Sequence, residues 1–364
     1  MANTLTITST LPLITPVYNK MEFSMVANYS VDYMALYVYI GDASKGKYEG
    51  DLRILELTSN VETVDIQGLI QPFFESDANE DPILKRIDVH GHSYLNDVDV
   101  SVYVNNYYVS NGVNQGNYSA GNYVLNGSVN TSKFLNNYNA PIDIHYNDTG
   151  NKLYFFTGNY ANSTGAYTLP QVQLKVSKDG GTKRPYVTVS STVPKIYALP
   201  IDIASLNSLI PTLGIDANTS YYTIDISKNT AGVNSQIVNI IPVDERYSPI
   251  RVQWIDQNGC INYFNFDLLQ TNTVEIDKQS YLNNGTYKIF NTKVADIYTI
   301  TTNWITEEQS LGLKDLWYSP SVMIDGKYVL ILTKSMKILN RREVKLINYT
   351  VEYQYASEYK VQVN

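Results

Sequence analysis

The residues best placed to do chemistry are Asp88, His90 and His92, in the run Asp88-Val89-His90-Gly91-His92. At a period of two they share one face of a strand, and a carboxylate with two imidazoles is a donor set that suits a divalent cation. The chain has 3 histidines in all, so a third imidazole would have to be His145, beside Asp143, delivered by the fold. An ordinary polar strand face explains the same spacing without a metal. Other catalytic signatures are missing from the sequence: no serine sits in Gly-x-Ser-x-Gly, there is no phosphate-binding glycine loop, and Cys260 has no motif around it. Paired carboxylates for glycoside hydrolysis leave no mark in sequence, because their separation in space decides that chemistry. The expectation is a non-enzymatic chain without metal or other cofactor; a cell-surface hydrolase would need one essential Asp or Glu.

A second set of residues suits binding. Tyr107, Tyr108, Tyr118, Tyr123 and Tyr138 lie in or beside an Asn-rich stretch, where aromatic faces can stack on sugars. Tyrosine is abundant throughout, at 32 residues, and its even spread favours a general role in half-buried strands and interfaces. Residues 110–140, rich in Gly, Asn, Ser and Tyr, read either as an arm that reaches a neighbour or as a surface loop.

The elements that must position these residues are strands. Charged residues make up 17% of the chain, and Thr, Val, Tyr and Ser recur where a helical protein would use Ala, Glu, Lys and Leu. The 364 residues exceed one ordinary core. They divide into an N-terminal β domain over 1–140, a middle β domain over 141–240 and a C-terminal β module over 241–364. The fold class expected is mainly β, with tandem antiparallel sandwich- or barrel-like modules and two or three short helices. Strands are predicted over Thr4–Thr8, over Glu22–Tyr39 with a break near Asn28, and over Val98–Val104, where alternation is clearest. Further strands are expected near Thr273–Ile276 and Tyr298–Thr302, and one long strand over Val344–Tyr355. Asp202–Leu213 has helical spacing. Thr306 and Gln309 form a capping box for a helix over 306–318 that Ser319-Pro320 ends.

The central stretch is Arg251–Leu268, with a tight turn predicted at Asn258-Gly259. A two-residue turn there sets Gln257 opposite Cys260, Trp254 opposite Tyr263 and Gln253 opposite Phe264. Val252, Trp254, Ile261 and Tyr263 then share one face, and Ile255, Phe264 and Phe266 the other. Both faces are apolar, so the hairpin should be covered twice, by its own core and by another layer or subunit.

Charge and cysteine usage limit partners and compartment. A net charge of −8 with no long basic cluster argues against direct nucleic-acid binding. The single cysteine excludes an intrachain disulfide framework and fits a reducing compartment. The N-terminal run does not read as a signal peptide, and no stretch approaches the roughly 18 apolar residues of a membrane helix. Asn-x-Ser/Thr triplets, such as those at Asn28, Asn117 and Asn284, are what an Asn-, Ser- and Thr-rich chain produces by chance.

The C-terminal third resembles a known family. WIDQNGCINYFNF, followed by TNWITEEQSLGLKDLWYSPSVMIDGKYVLILTK and KLINYTVEYQYASEY, is similar to the carboxyl-terminal module of tail and neck structural proteins from tailed phages of Bacteroidetes, crAss-like phages included. Trp254, Asp256, Gly259, Tyr263, Phe264 and Phe266 match the family's hairpin, and the Glu-Glu, short helix, Ser-Pro element follows. Cys260-Ile261-Asn262 stands where a second Gly and an Asp are common. The resemblance covers about residues 240–364 and implies a virion subunit of a tail, collar or neck, made in the bacterial cytoplasm. The partners expected are itself, as a six- or twelve-fold ring, and other tail, portal-side or collar proteins, with no membrane. Trp254, Tyr263, Phe264, Phe266, Tyr107, Tyr108, Tyr118 and Tyr123 are the candidate interface residues. The alternative function is a host-surface carbohydrate-binding protein, a receptor-binding protein or adhesin.

Overall fold

A computed structural model describes residues 3–9, 14–17, 20–42, 50–74, 81, 84–96, 98–110, 124–125, 128–129, 134–136, 141–157, 159–162, 165–168, 172–190, 195–228, 231–242, 248–256, 259–334 and 346–356. Among these residues the fold is mainly β, with three short helices, several antiparallel sheets and no closed barrel. Three large hydrophobic cores among them follow one another along the chain.

The first core lies between two sheets. Leu5–Thr8, Glu22–Ala27 and Val61–Asp65 form a three-stranded sheet, and it faces five strands in the order Ile14–Pro16, Val98–Ser110, Leu84–Leu95, Tyr33–Asp42, Asp51–Leu57. The expected break near Asn28 separates Glu22–Ala27 from Tyr33–Asp42, and alternation assigns the faces: Met34, Leu36, Val38 and Ile40 point inward. Gly91, between the two histidines, faces inward as well. A Cβ there would sit 2.3 Å from Ile7 Cδ1 and 3.0 Å from Met25 Cε, so the glycine lets the two sheets approach.

The second core gathers under five strands in the order Ile142–His145, Ala231–Ile241, Tyr221–Lys228, Val172–Lys178, Arg184–Val189, with the pair Lys152–Thr157 and Lys195–Pro200. Its helix, Ile203–Leu209, starts where the Asp202 carboxylate accepts the Ser205 N–H at 2.9 Å. Leu206 lies on its buried face.

The third core is built on seven strands in the order Ile261–Phe266, Ile250–Ile255, Val322–Ile324, Lys327–Ile331, Thr350–Tyr355, Thr286–Thr301, Leu269–Asn283. The helix Glu307–Tyr318 carries the capping box: Thr306 Oγ1 accepts the Gln309 N–H, and Gln309 Oε1 accepts the Thr306 N–H. Leu313 and Leu316 dock its inner face. The expected long strand over 344–355 is two pieces, Leu346–Ile347 and Thr350–Tyr355. The first pairs with Ile305–Thr306 ahead of the helix, so each piece joins a different sheet.

Replacing Gly91 by valine forces the facing sheet to give way. Urea unfolding of Gly91→Val should show a loss of about 1–3 kcal/mol.

Candidate functional site

The hairpin of Ile250–Ile255 and Ile261–Phe266 forms where the sequence marks it. Its register differs from the sequence expectation by one residue: Trp254 lies opposite Asn262, Gln253 opposite Tyr263, and Val252 opposite Phe264. The reason is local. Asp256 and Cys260 close the turn: the Asp256 N–H donates to Cys260 O at 2.9 Å, and the Cys260 N–H donates to Asp256 Oδ1 at 2.8 Å. The loop therefore has three residues, ending in Gly259 at φ 78, the left-handed position such loops require. One slip moves every partner to the other face, so Asn262, Phe264 and Phe266 join Val252 and Trp254.

The two faces are covered differently. Ile250, Val252, Trp254 and Phe266 enter the third core. Asn262, at the loop end of that same face, and Arg251 and Asn265 on the opposite face bond to the middle of the same chain. Asn136 Nδ2 donates to Asn262 Oδ1 at 3.0 Å and to the backbone oxygens of Lys152 and Ile261 at 3.2 and 3.3 Å, while Asn136 Oδ1 accepts the Tyr154 N–H at 2.8 Å. Asn262 Nδ2 donates onward to Asp256 Oδ2 at 3.1 Å. Beside this seam, Arg251 lies over the Tyr263 ring, 4.3 Å from its centroid, and donates to Asn151 Oδ1 at 2.9 Å. Asn265 Nδ2 donates to Asp148 Oδ2 at 2.7 Å, and Gln309 Nε2 to Asp143 Oδ2 at 2.6 Å. Burial, and after it the carboxylates of Asp256 and Asp81, push the Cys260 thiol well above its usual range. That makes it an unreactive packing residue.

The candidate interface residues thus have different fates. Trp254 and Phe266 are spent inside the chain's own core, while Tyr263 and Phe264 are half-buried. Tyr107 and Tyr108 lie on the strand Val98–Ser110, with their side chains outside the described residues; Tyr118, Tyr123, Tyr138 and most of the 110–140 arm also fall outside them.

The histidine face is built on the outer side of the N-terminal sheet. His92 Nε2 meets His90 Nδ1 at 3.2 Å, and His92 Nδ1 meets Asp99 at 2.8 Å. Asp88 is held by Arg86, with Nε to Oδ2 at 3.0 Å. Tyr37 packs edge-on to His92, and Tyr33 stacks on Tyr94 at 4.6 Å. The strand period does bring Asp88, His90 and His92 to one face, but Arg86 and Asp99 take up two of the three ligands. No group of three or more ligating side chains gathers for a metal among the described residues. His145 lies in the middle module, its Nδ1 3.1 Å from Ile241 O.

One element escaped sequence reading. In place of short strands at 273–276 and 298–302, Leu269–Asn283 and Thr286–Thr301 pair along their whole length. Asn284 at φ 50 and Gly285 at φ 76 make the turn. A third strand, Thr350–Tyr355, joins only at Tyr298–Thr301, so the rest is a two-stranded ribbon. The signal was present in Asn284-Gly285, the hairpin dipeptide. The flanking residues have little of the apolar density by which the other strands stood out.

No family model matches the chain, and no curated protein matches it. Functional argument therefore rests on the residues and their geometry.

Two outcomes are expected. Asn136→Ala leaves Asn262 Oδ1 and the Tyr154 N–H without a partner, and should cost about 1–3 kcal/mol in urea unfolding; Cys260, inert to a thiol reagent in the native chain, should then react faster. Burial chiefly, and His92 secondarily, lower His90 to about 4 against an opposing pull from Asp99. The unfolded chain therefore binds the proton first, so stability should fall as pH drops from about 6.5 toward 4. His90→Gln should flatten that fall in thermal melts across the window.

Proposed function

We propose that this chain is a non-enzymatic structural subunit of a phage tail, collar or neck, assembling with its own copies into a six- or twelve-fold ring and with neighbouring virion proteins. The observation that carries the reading is the two-stranded ribbon. Val274, Ile276, Leu282, Tyr287, Ile289 and Val294 on it are exposed, from 38% at Val294 to 74% at Tyr287. An isolated two-stranded hairpin is marginal in water, and apolar side chains held out on one belong to a chain that is completed by a neighbour. The resemblance of residues 240–364 to phage tail and neck proteins supports the virion setting. The hairpin inside that region is locked into the chain's own body, which suits a rigid subunit.

A second reading has one observation in its favour. A cleft of about 130 Å³ opens between the middle and C-terminal modules, lined by Asp143, His145, Asn265, Asp267, Asn303 and Trp304. Trp304 is 58% exposed, and an indole beside amides and carboxylates is a surface on which a sugar can stack and hydrogen-bond. Saturable glycan binding lost in Trp304→Ala would favour an adhesin.

Incubating the purified chain with disrupted virions, followed by native mass spectrometry, tests the structural reading. Six- or twelve-fold species, or capture by tail or collar proteins, are expected. A monomer at high concentration that ignores those proteins overturns it.

A further inference from the structure

The ribbon has two unlike faces. Strand pairing puts Val274, Ile276, Lys278, Ser280 and Leu282 on one side, with Asp296, Val294, Thr292, Ile289 and Tyr287 opposite them. The other side carries Glu275, Asp277, Gln279 and Tyr281, with Asn291 and Lys288 across. There Asn291 Nδ2 donates to Gln279 Oε1 at 3.1 Å, and Phe290, displaced by the bulge at Gln279/Ser280, packs edge-on against Tyr281. The first face exposes the aliphatic side chains of Val274, Ile276, Leu282 and Ile289, each by more than half, whereas the second is polar over 275–279 and ends in the exposed aromatic pair Tyr281 and Phe290. Followed toward the body, the apolar face runs through Asn272 and Tyr298 to Gln270 and Ile300, and Ile300 is fully buried in the third core. It is the core face of the seven-stranded sheet, continued past the edge of its own module for about 11 residue pairs, or roughly 36 Å at 3.3 Å per residue.

We infer that this ribbon is an arm that seats its apolar face on a second copy of the chain, against the edge strand Asp51–Leu57 and the tyrosines beside it. The inference deepens the assembly reading above and rests on it. Asp51–Leu57 is the last strand of its sheet among the described residues. Leu52 and Ile54 project from it into water, opposite Tyr39 and Tyr37. Glu56, exposed, shares their face, while Asp51 and Arg53 lie on the other side of the strand. The distal ribbon, residues 278–292, matches this in reverse: Leu282, Tyr287 and Ile289 share their face with Lys278, and the segment has no acidic residue, in a chain whose net charge is −8. Exposed β-edges accept added strands, and Leu269–Asn283 is itself the edge of its sheet. Area is consistent as well. A ribbon face about 36 Å by 10 Å covers roughly 360 Å² and hides a similar area of the acceptor. Two arms exchanged reciprocally bury about 1,400 Å², within the standard range for a stable interface; a one-way contact buries half of that and is reinforced by closure of a ring.

The test uses the full chain. Sedimentation equilibrium should show self-association, weakened at least tenfold in the triple variant Ile276→Asn, Leu282→Asn, Ile289→Asn, whose near-UV spectrum and melting point stay those of the parent because these side chains are exposed. Ile54→Cys and Leu282→Cys, prepared separately with different mass tags, should on mixing and oxidation form the mixed disulfide dimer; Cys260 is buried and does not compete. A monomeric parent, or a triple variant that assembles as well as the parent, overturns the arm. Loss of assembly in the triple variant without the mixed disulfide overturns the Asp51–Leu57 acceptor. Self-association through the arm in a chain that no virion protein captures leaves this inference standing and removes the virion reading.

Discussion

The amide of Asn136 is the point on which the body of this protein turns. It is buried, and it holds Tyr154 and Lys152 of the middle module on one side and Ile261 and Asn262 of the C-terminal hairpin on the other. Asn262 passes the chain of bonds to Asp256, which shapes the hairpin loop. A buried polar network is worth having only when its members are satisfied. Here each bond also fixes geometry, because an amide plane between two sheets permits one register and one separation. Hydrophobic contact alone would let the two modules slide.

The hairpin is therefore covered on both faces by its own chain. Trp254 and Phe266 anchor it in the third core, while Arg251, Asn262 and Asn265 bond it to the middle module. The same sheet ends very differently at its far edge. Past Tyr298 the core face continues with none of the described residues paired beside it, on a ribbon of two strands. One end of the sheet is saturated by intramolecular contacts, and the other presents unspent apolar surface. That asymmetry is the physical basis for reading the chain as a part of something larger.

Much of the fold was legible in the residues. Alternation in Val98–Val104, the break near Asn28, the helical spacing of Asp202–Leu213 and the Thr306 cap are local signals, and local signals act over a few residues wherever the chain goes. The hairpin register was misread because a side chain, the Asp256 carboxylate, rather than the turn dipeptide, sets the loop length. The ribbon was missed because its strands alternate weakly and are held by each other.

The sequence by itself determined the β class, the capped start of the 306–318 helix, the alternation within each strand and the shared face of Asp88, His90 and His92, since each follows from backbone period or capping within one element. Only the tertiary structure decided that Arg86 and Asp99 claim Asp88 and His92, that Asn136 meets Asn262 across 126 positions, and that the ribbon's apolar face is left exposed among the described residues. These are statements about which surfaces meet, and the meeting of residues remote in sequence is set by the summed packing of whole sheets.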